Sequence, residues 1–305
     1  MTFNIIKIRH FSYILSFLML GLFFIGIFYK RHQRGSSFLY SVEFSGGAQV
    51  HCTLEGVVVN TTEDMKKALE KDKNYEGIII RQFSKNEFLF RFPIGIDKLI
   101  TASEASVMIK NKLESVFYGT KVKVIDSSYV GPQVGGELKK KAIISILIAL
   151  FLMSFYVWIR FRSLAFSIAN GISLFHDVLV VLLLLLWYDF EISLDIVGAI
   201  LFILGYSIND TIVIFSRIRD NIKNNNLKGE SIANIINLSI KETLRRTVLT
   251  SAFTALVVLP LWLFGGVSLE PLSAPILLGI IFGTYSSIGI ASAVLYDYFK
   301  LMEAK

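Results

Sequence analysis

The sequence has little of what builds soluble enzymes or disulfide-stabilised secreted domains. One cysteine, Cys52, stands among 305 residues, which excludes an intramolecular disulfide framework and a CxxC metal site. The four histidines, at positions 10, 32, 51 and 176, lack the spacing of metal ligands. Nucleotide-binding glycine loops and the HExxH and GxSxG motifs are also missing. The sequence therefore indicates no enzyme class, no metal and no cofactor.

Charge is scarce as well. Charged residues make up 18% of the chain, against about a quarter in soluble proteins, and the 53% of hydrophobic residues occur in long runs. Runs of about 20 apolar residues can cross a membrane as a helix. We predict spans at about 11–29, 141–159, 164–187, 194–215, 247–267 and 274–299. The fold class is an α-helical, multi-pass membrane protein whose first span is not a cleaved signal.

The net charge of +7 follows from where the basic residues lie. Lys and Arg crowd four segments: before the first span, between the second and third, between the fourth and fifth, and after the sixth. Such residues concentrate in cytoplasmic loops, so both termini are expected in the cytoplasm and no nucleic-acid binding is expected. Lys30, Arg31 and Arg34 favour the opposite orientation, but a large domain follows them, and such domains cross largely regardless of charge.

About 110 mostly polar residues separate the first two spans, which divides the chain into regions 1–29, 30–138 and 139–305. Alternating apolar residues predict four strands, at 48–54, 77–83, 87–93 and 121–130. Two helices are predicted between them, one from about residue 61 and one over 101–117. This is the ferredoxin-like order of elements. Residues 30–138 are therefore expected to form a ferredoxin-like α+β domain on the exported side of the inner membrane.

Ionisable residues inside the spans are candidates for function, because a charge at mid-bilayer costs at least about 2.5–3.5 kcal/mol. Asp210 lies about one and a half turns inside the cytoplasmic end of the fourth span, and Arg246 begins the fifth at a comparable depth. Antiparallel helices could bring the two together. Pairing would keep the acid ionised and burial alone would favour its neutral form, a balance that suits a proton relay. A structural ion pair or interhelical hydrogen bond is the open alternative.

A second polar pair, His176 and Asp177, lies near the middle of the third span. Consecutive residues point to different helix faces, so the two are not expected to address one partner. The cost of burying them favours an ion pathway over a structural role. Asn209, beside Asp210, is expected to be a hydrogen-bonding neighbour.

Isoleucines recur at helical spacing between Glu230 and Glu242. This segment lies between the fourth and fifth spans. An amphipathic stretch in such a place predicts a helix along the membrane surface or against a partner.

Six short segments carry the motifs of one family, in the order expected of it. They are Phe44-Ser-Gly-Gly47, Val130–Leu138, Arg160-Phe161, Leu174-Phe-His-Asp-Val178, Gly205–Phe215 with Arg217-Ile-Arg219, and Thr243–Ser251. Over nearly its whole length the chain resembles the SecD/SecF family of bacterial protein export. Two positions depart from the family pattern: Glu43 and Ser216 stand where the family has Asp.

The resemblance implies a set of partners. They are a SecD subunit with six pseudo-symmetric spans, the SecYEG translocon, a YajC-like subunit and a translocating preprotein. It also places the chain in the resistance-nodulation-division superfamily. It implies that the SecD/SecF pair uses an ion gradient to pull or release the preprotein. By motif position, Asp210 and Arg246, with Asn209 beside them, would be the ion-coupling residues. The coupling ion could be a proton or sodium.

Two other functions stay open. One is a small-molecule or lipid exporter of the same superfamily, which would need a larger exported region than about 110 residues. The other is a purely structural subunit that stabilises SecD.

Overall fold

The computed structural model describes residues 4–56, 65–66, 69, 75, 78–84, 86–92, 101–224, 227 and 229–303. Their contacts divide the chain into two compact units. Residues 40–142 form a small α/β domain, and residues 1–39 with 143–305 form a helix bundle.

The α/β domain is built on a four-stranded antiparallel sheet. Its strands are β2 (Gly47–Glu55), β3 (Ile79–Ser84), β4 (Glu87–Phe92) and β5 (Lys121–Val130), in the order β3-β4-β2-β5. Every second residue of the central strands is buried, including Val50, Leu54, Phe88 and Phe90, so one face of the sheet forms the core. The four strands lie within two residues of the predicted ones. Two two-residue strands, β1 (Leu39–Tyr40) and β6 (Glu191–Ile192), lie elsewhere in the chain.

The helix that follows β4 packs against the sheet. A short helix, α2 (Val42–Ser45), precedes β2, and α3 (Ala102–Val116) follows β4. The Thr101 hydroxyl caps α3 by accepting a hydrogen bond from the Glu104 amide, and the Glu104 carboxylate accepts one from the Thr101 amide. Ala105, Ile109 and Leu113 are fully buried at a spacing of four residues. Val107 is 58% exposed, because positions 107 and 109 cannot share a helix face. The helix predicted from about residue 61 lies mostly outside the described residues.

Six helical stretches are long and apolar enough to cross a membrane, as predicted. They are α1 (Arg9–Arg34), α4 (Pro132–Phe161), α5 (Leu164–Trp187), α6 (Leu194–Lys223), α7 (Ile232–Phe264) and a sixth stretch of three parts. The sixth joins α8 (Gly266–Tyr285), a π-helical segment (Ser286–Ala291) and α9 (Ser292–Glu303). Several of these helices extend beyond the apolar run that predicted them, because a helix does not have to end where the hydrocarbon does.

The six stretches differ in how much of their surface the bundle covers. In the most apolar part of α5 and of the sixth stretch 61% of the residues are buried, against 6% in α4 and 11% in α7. Leu, Ile, Val and Phe side chains dominate the uncovered faces of α4 and α7. Helix α5 and the sixth stretch are therefore central, while α4 and α7 present apolar faces to lipid or to a partner.

The start of α7 corrects one prediction. The segment from Glu230 to Glu242 was predicted to lie on the membrane surface or against a partner, but from Ile232 on it is the first part of α7. Its Ile236 and Ile240 are buried in a cluster that also holds Ile5 and Ile218. The amphipathic face is covered by the chain's own helices.

Basic residues at the end of α1 pair with the turn between α5 and α6. The Lys30 Nζ lies 2.6 Å and the Arg34 Nη1 2.6 Å from the carboxylate oxygens of Asp189. Asp189 adopts a left-handed backbone with φ 56°, which aspartate tolerates better than most residues. Burial raises the pKa of this carboxyl, but the hydrogen bonds and charges of Lys30 and Arg34 outweigh it and hold the pKa below its usual value.

Replacing Asp189 with asparagine is expected to lower the thermal stability of the chain in detergent at pH 7 modestly. The carboxylate is 46% exposed, so solvent screening limits the loss to about 1 kcal/mol or less. A depressed pKa stabilises the fold above the unfolded-state value of about 3.9, and that contribution is lost as the pH falls through the lower, folded-state pKa. The difference between wild type and Asp189→Asn should therefore shrink on acidification below about pH 4. A melting-temperature difference that stays constant with pH would contradict the ion-pair account.

Candidate ion-coupling site

Helix α6 carries the first candidate residue, Asp210, in its apolar interior. The Ser193 side chain caps the helix by accepting a hydrogen bond from the Ile196 amide. Apolar residues then follow at helical spacing and bury one face, on which Ile203, Ser207 and Asp210 lie. Asp210 is 3% exposed. The helix thus places a carboxylate inside the bundle and away from water.

The neighbours of this carboxylate are hydroxyl groups of α7. The Thr250 hydroxyl lies 3.5 Å from Oδ1 of Asp210, and the Ser251 hydroxyl lies 3.4 Å from Oδ2. Each hydroxyl also has a shorter contact with the backbone carbonyl of Thr247, at 2.9 and 2.8 Å. Thr284 completes the group, with its Oγ1 2.6 Å from Oγ of Ser251. The carboxylate is held by long hydrogen bonds whose donors have a second acceptor within reach.

The predicted pairing with Arg246 is not formed. Arg246 is exposed, and no nitrogen of its guanidinium lies within ion-pair distance of Asp210 in the described residues. The prediction took Arg246 to be as deep in the membrane as Asp210 because it placed the start of the fifth span at 247. Helix α7 begins 15 residues earlier, at Ile232. Asp210 is consequently level with Thr250 and Ser251, one turn beyond Arg246.

Asn209 lies on the outer side of α6. It is exposed, whereas Asp210 is buried, because consecutive helix residues are about 100° apart. Gly198, Phe202 and Gly205 are exposed on the same face at spacings of three and four residues. The amide predicted to be a hydrogen-bonding neighbour of Asp210 thus faces away from it.

His176 and Asp177 are both buried on α5, 7% and 1% exposed. They contact each other, with 3.4 Å between the imidazole Nδ1 and Oδ1 of Asp177. They also have different partners, as their positions predict: the Ser207 hydroxyl donates to Oδ2 of Asp177 at 2.6 Å, and the imidazole packs 6.1 Å from the ring of Tyr285. The structure brings neither residue to Asp210.

Sequence reasoning missed the hydroxyl groups around both carboxylates. Ser207, Thr250, Ser251 and Thr284 stand in apolar helices, where single serines and threonines are common and bond to the preceding turn. The usable signal was their position: two lie one turn from Arg246, and one lies three residues before Asp210. Neither the depth nor the rotation of a helix can be read closely enough from sequence to select them.

One glycine of the sixth stretch is required by packing. A Cβ on Gly279 would lie 2.3 Å from Ile203 of α6. Gly198, on the exposed face of α6, would meet nothing within 4 Å. Gly279 therefore lets α6 and α8 approach closely, as small residues do in membrane helices.

Replacing Gly279 with valine is expected to destabilise the bundle by about 1–3 kcal/mol or more, because the added side chain must displace Ile203. Thermal unfolding of the purified chain in detergent measures the loss. Gly198→Val is the matched control: a Cβ there meets nothing within 4 Å, so this variant should keep the wild-type melting temperature. Equal melting temperatures for the two variants would show that α6 and α8 can move apart without loss of stability.

These observations define a class. The described residues form a multi-pass membrane protein with carboxylates buried among hydroxyl groups in its helix bundle, and with an α/β domain inserted between the first and second membrane helices. The family model of the protein export membrane protein SecD/SecF, C-terminal, matches residues 108–301. The chain belongs to the SecD/SecF family.

Individual relatives agree with that assignment. The protein translocase subunit SecF of Desulfurispirillum indicum is 40% identical over 84% of this chain and 81% of its own length. SecF of Calditerrivibrio nitroreducens is 39% identical over 84% of this chain and 82% of its own. The crystal structure of SecDF, a translocon-associated membrane protein from Thermus thermophilus, superposes with a TM-score of 0.84 at 32% identity. It matches 98% of this chain, which spans 39% of the SecDF chain.

Proposed function

We propose that the chain acts as the SecF subunit of a SecD/SecF complex that assists protein translocation and draws on an ion gradient through Asp210. The observation that carries the coupling role is the burial of this carboxylate, 3% exposed, among hydroxyl groups in an otherwise apolar helix. An ionisable group in an apolar membrane helix costs free energy, so its presence there indicates a function. The relatives named SecF and the SecDF structure support the translocation role.

The hydroxyl groups suggest how a change in charge becomes movement. While Asp210 is ionised, Thr250 and Ser251 can donate to it. Once it is neutral, both hydroxyls can turn fully to the Thr247 carbonyl, which already lies within 2.9 Å of each. The contact between α6 and α7 is then weaker. A gradient supplies about 2.3 kcal/mol per charge for every 100 mV, which is enough to bias a two-state bundle. Arg246, one turn away, would hold the ionised state by its charge, and His176 with Asp177 would lie on the ion's route.

A partner helix is needed over Asn209. An amide that faces lipid is unfavourable, and two glycines on the same face, Gly198 and Gly205, leave room for another backbone. This exposed face of α6 (Gly198, Phe202, Gly205, Asn209) is proposed to bind SecD. SecYEG, a YajC-like subunit and the translocating preprotein are further proposed partners.

The proposed orientation places both termini in the cytoplasm and residues 30–138 on the exported side of the inner membrane. Lys and Arg between α6 and α7 support it. Lys30 and Arg34, which favour the reverse, are paired with Asp189 and so are less effective as cytoplasmic anchors. For the exported domain we propose a ferredoxin-like fold, which the sheet order β3-β4-β2-β5 supports.

Affinity purification of the tagged chain from its own membranes in mild detergent tests the subunit role. SecD should be recovered in comparable amount, with SecYEG in smaller amount. Recovery of neither would count against the role in translocation, and recovery of a periplasmic exporter component instead would favour the small-molecule exporter.

A further inference from the structure

Helix α5 carries a second set of buried polar groups, on the face that includes Asp177. Asn170, Ser173 and Asp177 lie three and four residues apart, and none is more than 1% exposed. That spacing places them on one face of the helix, over two turns. The set therefore runs along α5 from Asp177 toward the helix start.

Three atoms of this set are buried without a partner. Both side-chain polar atoms of Asn170 and the hydroxyl of Ser173 make no hydrogen bond to any described residue. Each such group costs about 1–3 kcal/mol when it is left unsatisfied. The amide offers a donor and an acceptor, so a cation alone could not satisfy it, whereas water can satisfy both.

Hydroxyl groups of two neighbouring helices line the same level. Ser207 of α6 donates to Asp177 at 2.6 Å, and the hydroxyls of Thr211 and Ser287 lie 2.8 Å apart. All three are fully buried. Because α5 and α6 run antiparallel, the Ser207–Asp177 contact sets Thr211 level with Ser173, one turn away.

The π-helical segment adds backbone polarity at this place. It runs from Ser286 to Ala291, and both Ser286 and Ser287 lie in it and are fully buried. A π-helix departs from the regular ladder of hydrogen bonds and is often found at functional sites. We call Asn170, Ser173, Asp177, Ser207, Thr211, Ser286 and Ser287 the polar column.

We propose that the polar column holds a file of buried water molecules and that Asp177 is a second proton-carrying carboxylate, separate from Asp210. The titratable groups near Asp177 are His176 on the same helix and, beside the imidazole, Tyr285. From α6, the Ser207 hydroxyl contacts Asp177. Across a cavity of about 370 Å³ that borders His176 lie Tyr13 and Asp297. In the proposed orientation the column leads from mid-membrane toward the cytoplasm. This proposal rests on the proposed ion coupling and deepens it.

The test uses the full chain reconstituted with SecD in vesicles that contain a pH-sensitive dye. Asp177→Asn removes the proton-carrying group, and Asn170→Leu fills the column with a side chain of similar size that cannot hold water. Both are expected to lower gradient-driven proton flux at least tenfold. Infrared difference spectra between low and neutral pH should lose a carboxyl band in Asp177→Asn and retain it in Asn170→Leu.

Controls separate this proposal from the role of Asp210. Asn234→Leu, at an exposed site whose amide bonds Glu230, should keep wild-type flux. Asn170→Leu should also keep the wild-type melting temperature, because no protein hydrogen bond is lost. Wild-type flux in both column variants, with loss only in Asp210→Asn, would overturn the column and leave the proposed function standing. If Asp210→Asn keeps wild-type flux as well, both proposals fail. Flux of sodium instead of protons would also overturn the column.

Discussion

Asp210→Asn is expected to abolish the gradient-dependent part of preprotein export while the chain still folds. Asparagine has nearly the same shape; its Oδ1 can accept from one of the Thr250 and Ser251 hydroxyls and its Nδ2 can donate to the other, so packing is preserved. The asparagine side chain cannot be ionised, so it offers no site for the coupling ion. The change in charge that is proposed to move α6 against α7 is therefore lost. We expect the stimulation of export by the gradient to fall at least tenfold. The measurement is completion of preprotein export in membrane vesicles, with and without an ionophore that dissipates the gradient.

A matched control lies on the same helix. Asp220 is exposed near the end of α6, and its carboxylate lies 3.4 Å from the guanidinium of the neighbouring Arg219. Asp220→Asn should therefore retain full stimulation. Capture of SecD by each variant separates an ion-coupling subunit from a purely structural one. A purely structural subunit would lose assembly with SecD in Asp210→Asn before it lost gradient dependence. Unchanged stimulation in Asp210→Asn would remove the carboxylate from ion coupling.

The fold was largely predictable because its signals are local. A span needs only length and apolarity, and a strand needs only apolar residues at every second position, such as Phe88, Phe90 and Phe92, which are all buried. Helix ends were less predictable. Nothing in the composition around Ile232 separates a surface helix from the first turns of α7, because an amphipathic face looks the same whether lipid, a partner or the chain's own Ile5 and Ile218 cover it.

The candidate site was predictable only in part. A carboxylate in an apolar helix is rare enough to select Asp210 and Asp177 from the sequence alone. Their partners depend on helix depth and rotation, and an error of one turn moves a contact by about 5.4 Å. That error replaced the hydroxyls of Thr250 and Ser251 with Arg246. The unpartnered Asn170 was not selected, since a single amide in a helix gains meaning only once its surroundings are known.

Gly205→Leu is expected to prevent capture of SecD while leaving the isolated chain stable. Gly205 is exposed on α6, and a Cβ there meets nothing within 4 Å of the chain's own atoms, so the melting temperature in detergent should equal that of wild type. A leucine on the exposed face of α6 would hold a partner helix away from Asn209, since close approach of membrane helices depends on small residues. We expect the amount of SecD recovered with the tagged variant to fall at least tenfold.

The matched control is Gly21→Leu on α1, another exposed membrane-helix glycine whose Cβ would meet nothing within 4 Å. It adds the same side chain at a position outside the proposed interface, so SecD recovery should be unchanged. Equal recovery with both variants would place SecD on another surface, such as the uncovered face of α4. Loss in Gly205→Leu alone would explain why α6 exposes an amide: Asn209 would be covered by the partner, one residue from the carboxylate that we propose to couple the ion gradient.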